Sequence, residues 1–148
     1  MPAHRVVVAV PVKDLIHAKQ RLIPALTPWQ RALLAAAMLR DVLRALAELE
    51  GARVWLVTKD PDVEAIVAAR PWRHRIEILR EVQNEGHTQA VAFAQEQARS
   101  VGIDTFATIP GDVPCVTTNE VELLIRAASG SSPRAALTPS RSGLGTNG

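Results

Sequence analysis

Apolar and polar residues alternate along this chain with two distinct periods. Residues 5–10 (RVVVAV) form a short β-branched run, the pattern of a strand buried on both faces. Residues 53–58 (RVWLVT) and 105–109 repeat it, and 75–80 (RIEILR) alternate in a way that suits a strand nearer a sheet edge. Between these runs the period lengthens to that of a helix. Thr27, Pro28 and Gln30 make a capping box with proline at the first helical position. From there Leu34, Met38, Val42, Leu46 and Leu49 predict an apolar stripe, with Asp41, Arg44 and Glu48 opposite and Gly51 at the end.

Asp60-Pro61 opens a second helix, to about residue 69, and Pro71 stops it. A third carries Val91, Ala94, Ala98 and Val101. A fourth starts at the Thr117/Glu120 capping box and carries Val121, Leu124 and Ile125. A turn at 130–133 and a fifth strand at 135–137 complete the pattern. Strands alternating with helices predict an α/β domain, Rossmann-like, with a mostly parallel sheet and helices on both faces. One domain over residues 1–148 is the expectation, with no repeat or linker.

The composition narrows the function. Hydrophobic residues make up 47% of the chain but aromatics only 3%, so Ala, Val, Leu and Ile must fill the interior. A net charge of +2 gives no reason to expect nucleic acid as a partner. The single Cys115 excludes an intrachain disulfide and a cysteine-rich zinc site, and reads as a loop or buried thiol. With no apolar run of membrane-spanning length and no signal peptide, a cytoplasmic protein without a membrane partner is expected. Trp29, Trp55 and Trp72 read as packing residues, and His4, His17 and His74 as surface ones.

In such sheets ligands bind beyond the carboxyl ends of the strands. Four stretches there carry useful chemistry. After the first strand, the long loop at 11–27 holds Lys13, Lys19 and Arg21, with a helical turn near 17–22. These cations suit a polyphosphate, although solvation alone also explains them. The loop has neither GxxxxGK[ST] nor GxGxxG, which sets aside a Walker P-loop and dinucleotide chemistry. After the fourth strand, Pro110-Gly111-Asp112-Val113-Pro114 presents a carboxylate, suited either to Mg²⁺ or to bonding its own loop.

Glu85-Gly86-His87-Thr88 precedes the third helix. Gly86 admits close approach by a ligand, and Glu85 or Thr88 suits a base or ribose. A plain cap with Thr88 as N-cap fits equally, and His87 is a weaker candidate. Gly143, Gly145, Thr146 and Asn147 fit a phosphate cradle or a frayed end.

VPVK at 10–13, AKQRL at 18–22, LTPWQR, AMLRDVL, EGHT, PGDVP and GTN occur in that order. With them the chain resembles the 2-phospho-L-lactate guanylyltransferase family, GT-A-like nucleotidyltransferases of deazaflavin coenzyme biosynthesis. The resemblance covers residues 5–147. It implies transfer of GMP from GTP to a small phosphorylated acid (2-phospho-L-lactate, phosphoenolpyruvate or 3-phospho-D-glycerate), with release of pyrophosphate. Related alternatives are a molybdopterin guanylyl- or cytidylyltransferase, or a non-catalytic nucleotide-binding fragment.

By the resemblance, Lys13, Lys19, Arg21 and Asp112 are catalytic, and Asp112 is also the ligand of Mg²⁺. Val10, Pro11, Lys13, Glu85, Gly86, Thr88, Pro110 and Gly111 line the nucleotide, and Gly145, Thr146 and Asn147 bind the acceptor. Family members usually continue past GTN, so the chain is expected to lack the usual C-terminal part. The stretch before GTN usually reads PDRDG and here is Pro139-Ser140-Arg141-Ser142-Gly143. Missing strands would leave a sheet edge through which a homodimer could form.

Overall fold

A computed structural model describes residues 5–81, 86–130 and 135–136. Four strands, β1 (Val6–Pro11), β2 (Arg53–Thr58), β3 (Ile76–Arg80) and β4 (Thr105–Thr108), form one sheet in the order β3-β2-β1-β4. Every pairing is parallel; Val8 aligns with Val54 on one side and Ala107 on the other. Three α-helices join them, α1 (Pro28–Ala47), α2 (Pro61–Ala68) and α3 (His87–Ser100), and α4 (Thr118–Ala128) follows β4. Parallel neighbours need such crossovers. The expected fifth strand at 135–137 is not seen at Ala135 and Ala136, and Leu137 lies outside the described residues.

The two-residue period of β1 and β2 sorts the core into layers. Val8, Val10, Val54 and Leu56 face Leu39, Val42, Leu43 and Leu46 of α1, with Val63 of α2 and Val121 of α4. Val7, Ala9, Trp55 and Val57 face Ala90, Ala94 and Ala98 of α3. The chain steps outward from β1 to β3 and then jumps back to β4, so direction across the sheet reverses. Right-handed crossovers then send α3 to the opposite face from α1 and α2. Helices therefore cover both faces, as the alternation predicts.

Capping residues fix the helix ends. Thr27 Oγ1 accepts from Gln30 N at 3.2 Å while Gln30 Oε1 accepts from Thr27 N at 2.9 Å. Asp60 accepts from Asp62 N, and Thr117 and Glu120 form the second capping box. At the far end of α1 the Arg75 guanidinium donates to the carbonyls of Ala47 and Leu49, a cation on a helix's negative pole.

Some predicted faces are displaced. The α1 stripe lies on Leu39, Val42, Leu43 and Leu46; Leu34 is exposed and Met38 only half-buried. The first half of α1 is alanine-rich and apolar on several sides, so periodicity there does not choose a face. In α3 the buried positions are Ala90, Ala94 and Ala98, while Val91 is half-buried and Val101 exposed. Small side chains let that helix approach the sheet closely. Trp55 and Trp72 pack as expected, but Trp29, in the first turn of α1, is exposed.

Candidate active site

The strand order places a topological switch point between β1 and β4, because β2 and β3 are added on one side of β1 and β4 on the other. The loops after these two strands lead to α1 and α4 on the same face of the sheet and enclose a crevice at the strands' carboxyl ends. Val12 N donates to Val57 O at 3.0 Å and Ile109 N to Ala9 O at 3.0 Å, extending the parallel pairing to the crevice mouth. Beyond it lies a cavity of about 260 Å³. Its wall includes Pro11 at the end of β1, Lys13 from the first loop, Pro110, Gly111 and Asp112 from the second, and His87 at the start of α3.

Gly111 is tightly seated. A Cβ there would lie 3.1 Å from Val12 Cγ2 and 3.2 Å from Leu39 Cδ1. The loop after β4 thus presses on the end of β1 and on α1, and Asp112 leaves from that anchored point. Its carboxylate Oδ2 accepts from Lys19 Nζ at 2.9 Å. The Lys19 side chain is 22% exposed and that of Asp112 57%.

Lys19 has φ 54° and ψ 40°, and it is the only non-glycine residue with positive φ among the described residues. A left-handed conformation costs an L-residue roughly 1–2 kcal/mol. It turns the chain sharply into a 3-10 turn at Gln20–Leu22 and keeps the ammonium over the cavity. Asp14 organises the approach. Its Oδ1 accepts from His17 N at 2.8 Å and lies 3.2 Å from His17 Nδ1, closing a turn between the two lysines.

Several expected site residues converge and others do not. Pro11, Lys13, Lys19, Pro110, Gly111 and Asp112 share one wall. Val10 has a wholly buried side chain in the core facing α1, so only its backbone approaches the crevice. Arg21, in the 3-10 turn, is exposed and does not line the cavity. Gly86 adopts φ 107° and caps α3 in place of the alternative cap, Thr88, which is exposed in the first helical turn. Glu85, Gly145, Thr146 and Asn147 lie outside the described residues.

Asp14 and His87 are wall residues whose part the sequence understated. The D-x-x-H spacing that closes the turn is a usable signal for Asp14. For His87 the signal was its place before α3.

Donor chemistry bears on a metal. The cavity offers two carboxylates, Asp14 and Asp112, and among the described residues no group of three His, Cys, Asp or Glu is placed so that it could hold a metal ion by itself. That set suits a hard cation completing its shell with phosphate oxygens and water, and does not suit a cage built by the protein alone. A cavity of this size is smaller than the roughly 300–1,000 Å³ of most ligand sites. A second, larger cavity of about 480 Å³ between the end of β4 and α4 is lined mainly by Ile109, Val113, Val116, Val121 and Leu124. Among the described residues no cation lines it.

The model of the family described as "Guanylyl transferase CofC like" matches residues 6–148. The chain belongs to that family. Among relatives, a phosphoenolpyruvate guanylyltransferase of Chloroflexus aggregans is 32% identical over 145 residues, covering 95% of this chain and 68% of that protein. A 3-phospho-D-glycerate guanylyltransferase of Phenylobacterium zucineum is 35% identical over 125 residues, covering 78% of this chain and 54% of that one. Of three phosphoenolpyruvate guanylyltransferases, the chain spans 60% to 68% of the length.

A solved structure of a nucleotide-diphospho-sugar transferase from Desulfovibrio desulfuricans G20 superposes with a TM-score of 0.73. It shares 20% identity, covering 94% of this chain and 60% of that one, and shows that the fold is of that class. Among the described residues, no helix of this guanylyl transferase family member is long and apolar enough to cross a membrane.

Proposed function

We propose that the chain is a guanylyltransferase. It would join GMP from GTP to a small phosphorylated acid and release pyrophosphate, in deazaflavin coenzyme biosynthesis. The observation that carries this reading is the meeting of Lys13, Lys19 and Asp112 in one cavity at the β1/β4 switch point. Two cations at its wall suit phosphates and the charge that develops on departing pyrophosphate.

In the reaction, a phosphate oxygen of the acceptor attacks the α-phosphorus of GTP. The new P–O bond forms as the bond to the bridging oxygen of pyrophosphate breaks, and that oxygen carries the displaced charge away. No protein nucleophile is required. Lys13 and Lys19 neutralise the phosphates and hold them in line. Asp112, with Asp14 beside it, would hold Mg²⁺. When bound, Mg²⁺ supplies further neutralisation of the triphosphate. Gly86 leaves the backbone before α3 open to close approach by the nucleoside, with Glu85 and Thr88 as its polar contacts.

The relatives named for phosphoenolpyruvate and 3-phospho-D-glycerate support a three-carbon phospho-acid as acceptor. Thr146, Gly145 and Asn147 are proposed to contact its phosphate.

The test is pyrophosphate release by the purified chain with GTP, Mg²⁺ and each of the three phospho-acids. Turnover is expected with at least one acid and none in Asp112→Ala, whose circular dichroism should match wild type because Asp112 is exposed on a loop. Release that persists in Asp112→Ala would remove the metal assignment. Failure with every acid would remove the catalytic reading of this chain.

A further inference from the structure

Among the described residues Arg31 is the only charged side chain that is buried, at 8% exposure. It lies near the start of α1, one turn before Ala35 and two before Leu39, which line the cavity at the switch point. Among those residues it forms no ion pair with a carboxylate, and its Nε is buried without a hydrogen-bond partner. A buried guanidinium without a counter-charge destabilises a fold. Its one side-chain hydrogen bond among the described residues shows what it holds in return.

Arg31 Nη1 donates to Leu26 O at 2.9 Å. Leu26 N donates to Leu22 O at 2.8 Å, and Leu22 N to Lys19 O at 2.9 Å. Residue by residue, hydrogen bonds thus lead from the body of α1 to the backbone of Lys19, which is held at φ 54°. We propose that Arg31 is a positioning residue: it fixes the end of the loop after β1, and through Leu26 and Leu22 keeps Lys19 left-handed with its ammonium at the cavity. This rests on Lys19 meeting the phosphates in the reaction proposed above. A strained backbone persists only where its surroundings hold it. The half-exposed ion pair to Asp112 is weak by itself, whereas a part-buried bond from a charged donor is among the stronger ones. Arg31 does not line the cavity, and it acts by where it puts Lys19.

The test is a double-mutant cycle on the full chain, read by titration calorimetry with GTP and Mg²⁺. Lys19→Gln and Arg31→Met should each weaken binding roughly five- to tenfold. Together they should weaken it no further than Lys19→Gln alone, because a misplaced neutral side chain has no charge contact left to lose. A residue that merely supports the fold would add its full loss in both backgrounds. Hydrogen exchange followed by NMR needs no variant: in wild type the amides of Leu22 and Leu26 should be protected, although they stand in a loop. In Arg31→Met both should exchange roughly tenfold faster, the scale of one bond to a charged group, while the amides of β1 keep their rates.

Three results would overturn the proposal: unchanged GTP affinity in Arg31→Met, additive losses in the cycle, or Leu22 and Leu26 amides that exchange in wild type as fast as open chain. All leave the guanylyltransferase reading intact so long as wild type binds GTP and Lys19→Gln weakens it. Wild type that does not bind GTP, or binding that Lys19→Gln leaves unchanged, would overturn both.

Discussion

Lys19 and Asp112 lie 93 positions apart and meet at 2.9 Å across the crevice between β1 and β4. The pair joins the two loops that leave the switch point, and it does so from a left-handed lysine. Strain at a residue with a free choice of conformations would relax. Here the turn into Gln20–Leu22 and the ion pair hold it in place.

Replacing that lysine should separate stability from function. In Lys19→Gly the left-handed conformation becomes favourable, while the unfolded chain gains entropy worth about 0.4–1 kcal/mol. These effects oppose each other, so the thermal midpoint should stay close to wild type. Affinity for GTP, measured by titration calorimetry, should fall about tenfold with the lost charge contact. A large fall in stability with unchanged GTP affinity would place Lys19 in the structure and outside the site.

Gly111→Ala tests the anchoring of Asp112. The added Cβ would meet Val12 Cγ2 and Leu39 Cδ1, at 3.1 and 3.2 Å. Overpacking of this kind costs about 1–3 kcal/mol. The relief available is a shift of the loop, which carries Asp112 with it. Turnover should therefore drop further than the denaturation midpoint predicts, and the comparison of the two measurements decides it.

Thr27→Ala should act on stability alone. It removes one acceptor of the capping box that starts α1, at a cost of about 1 kcal/mol. Urea denaturation should report that loss, with KM for GTP unchanged.

Two carboxylates give stability opposite dependences on pH. Across β2 and β3, Arg53 donates to both oxygens of Glu77, at 2.9 and 2.7 Å. Those hydrogen bonds hold the Glu77 carboxyl below its ordinary value of 4.5. Its contribution is present above that pH and is lost as pH falls through the lowered value. Burial instead raises the Glu81 carboxyl, against a smaller opposing pull from Lys59. Its contribution is complete below 4.5 and is lost as pH rises through the raised value. Thermal melts across pH should show Glu77→Gln flattening the acid limb and Glu81→Gln stabilising the protein near neutrality.

Much of the fold was legible because the signals are local. The β-branched runs mark β1 and β2, and each of the two capping boxes stands within four residues at a helix start. Helix faces were legible only in part. The apolar surface of α1 is wide enough for several docking angles, and contact with Val8, Val10 and Leu56 selected Leu39 and Leu43 over Leu34. For the site, Lys13, Lys19 and Asp112 were read as neighbours from topology, but their charge pairing was not. Arg21 looked equivalent to the two lysines and is not, because the turn at Lys19 carries it away from the cavity.

The sequence by itself determined β1 to β4 and α1 to α4, though not the fifth strand it suggested, since period, caps and turns act over a few residues. It also determined which loops bear charge. Only the tertiary structure decided that the loop after β1 faces the loop after β4, because strand order depends on packing across the whole sheet. From that neighbourhood follow the closed Lys19–Asp112 pair and the tight seat of Gly111, contacts between residues that have no local reason to meet.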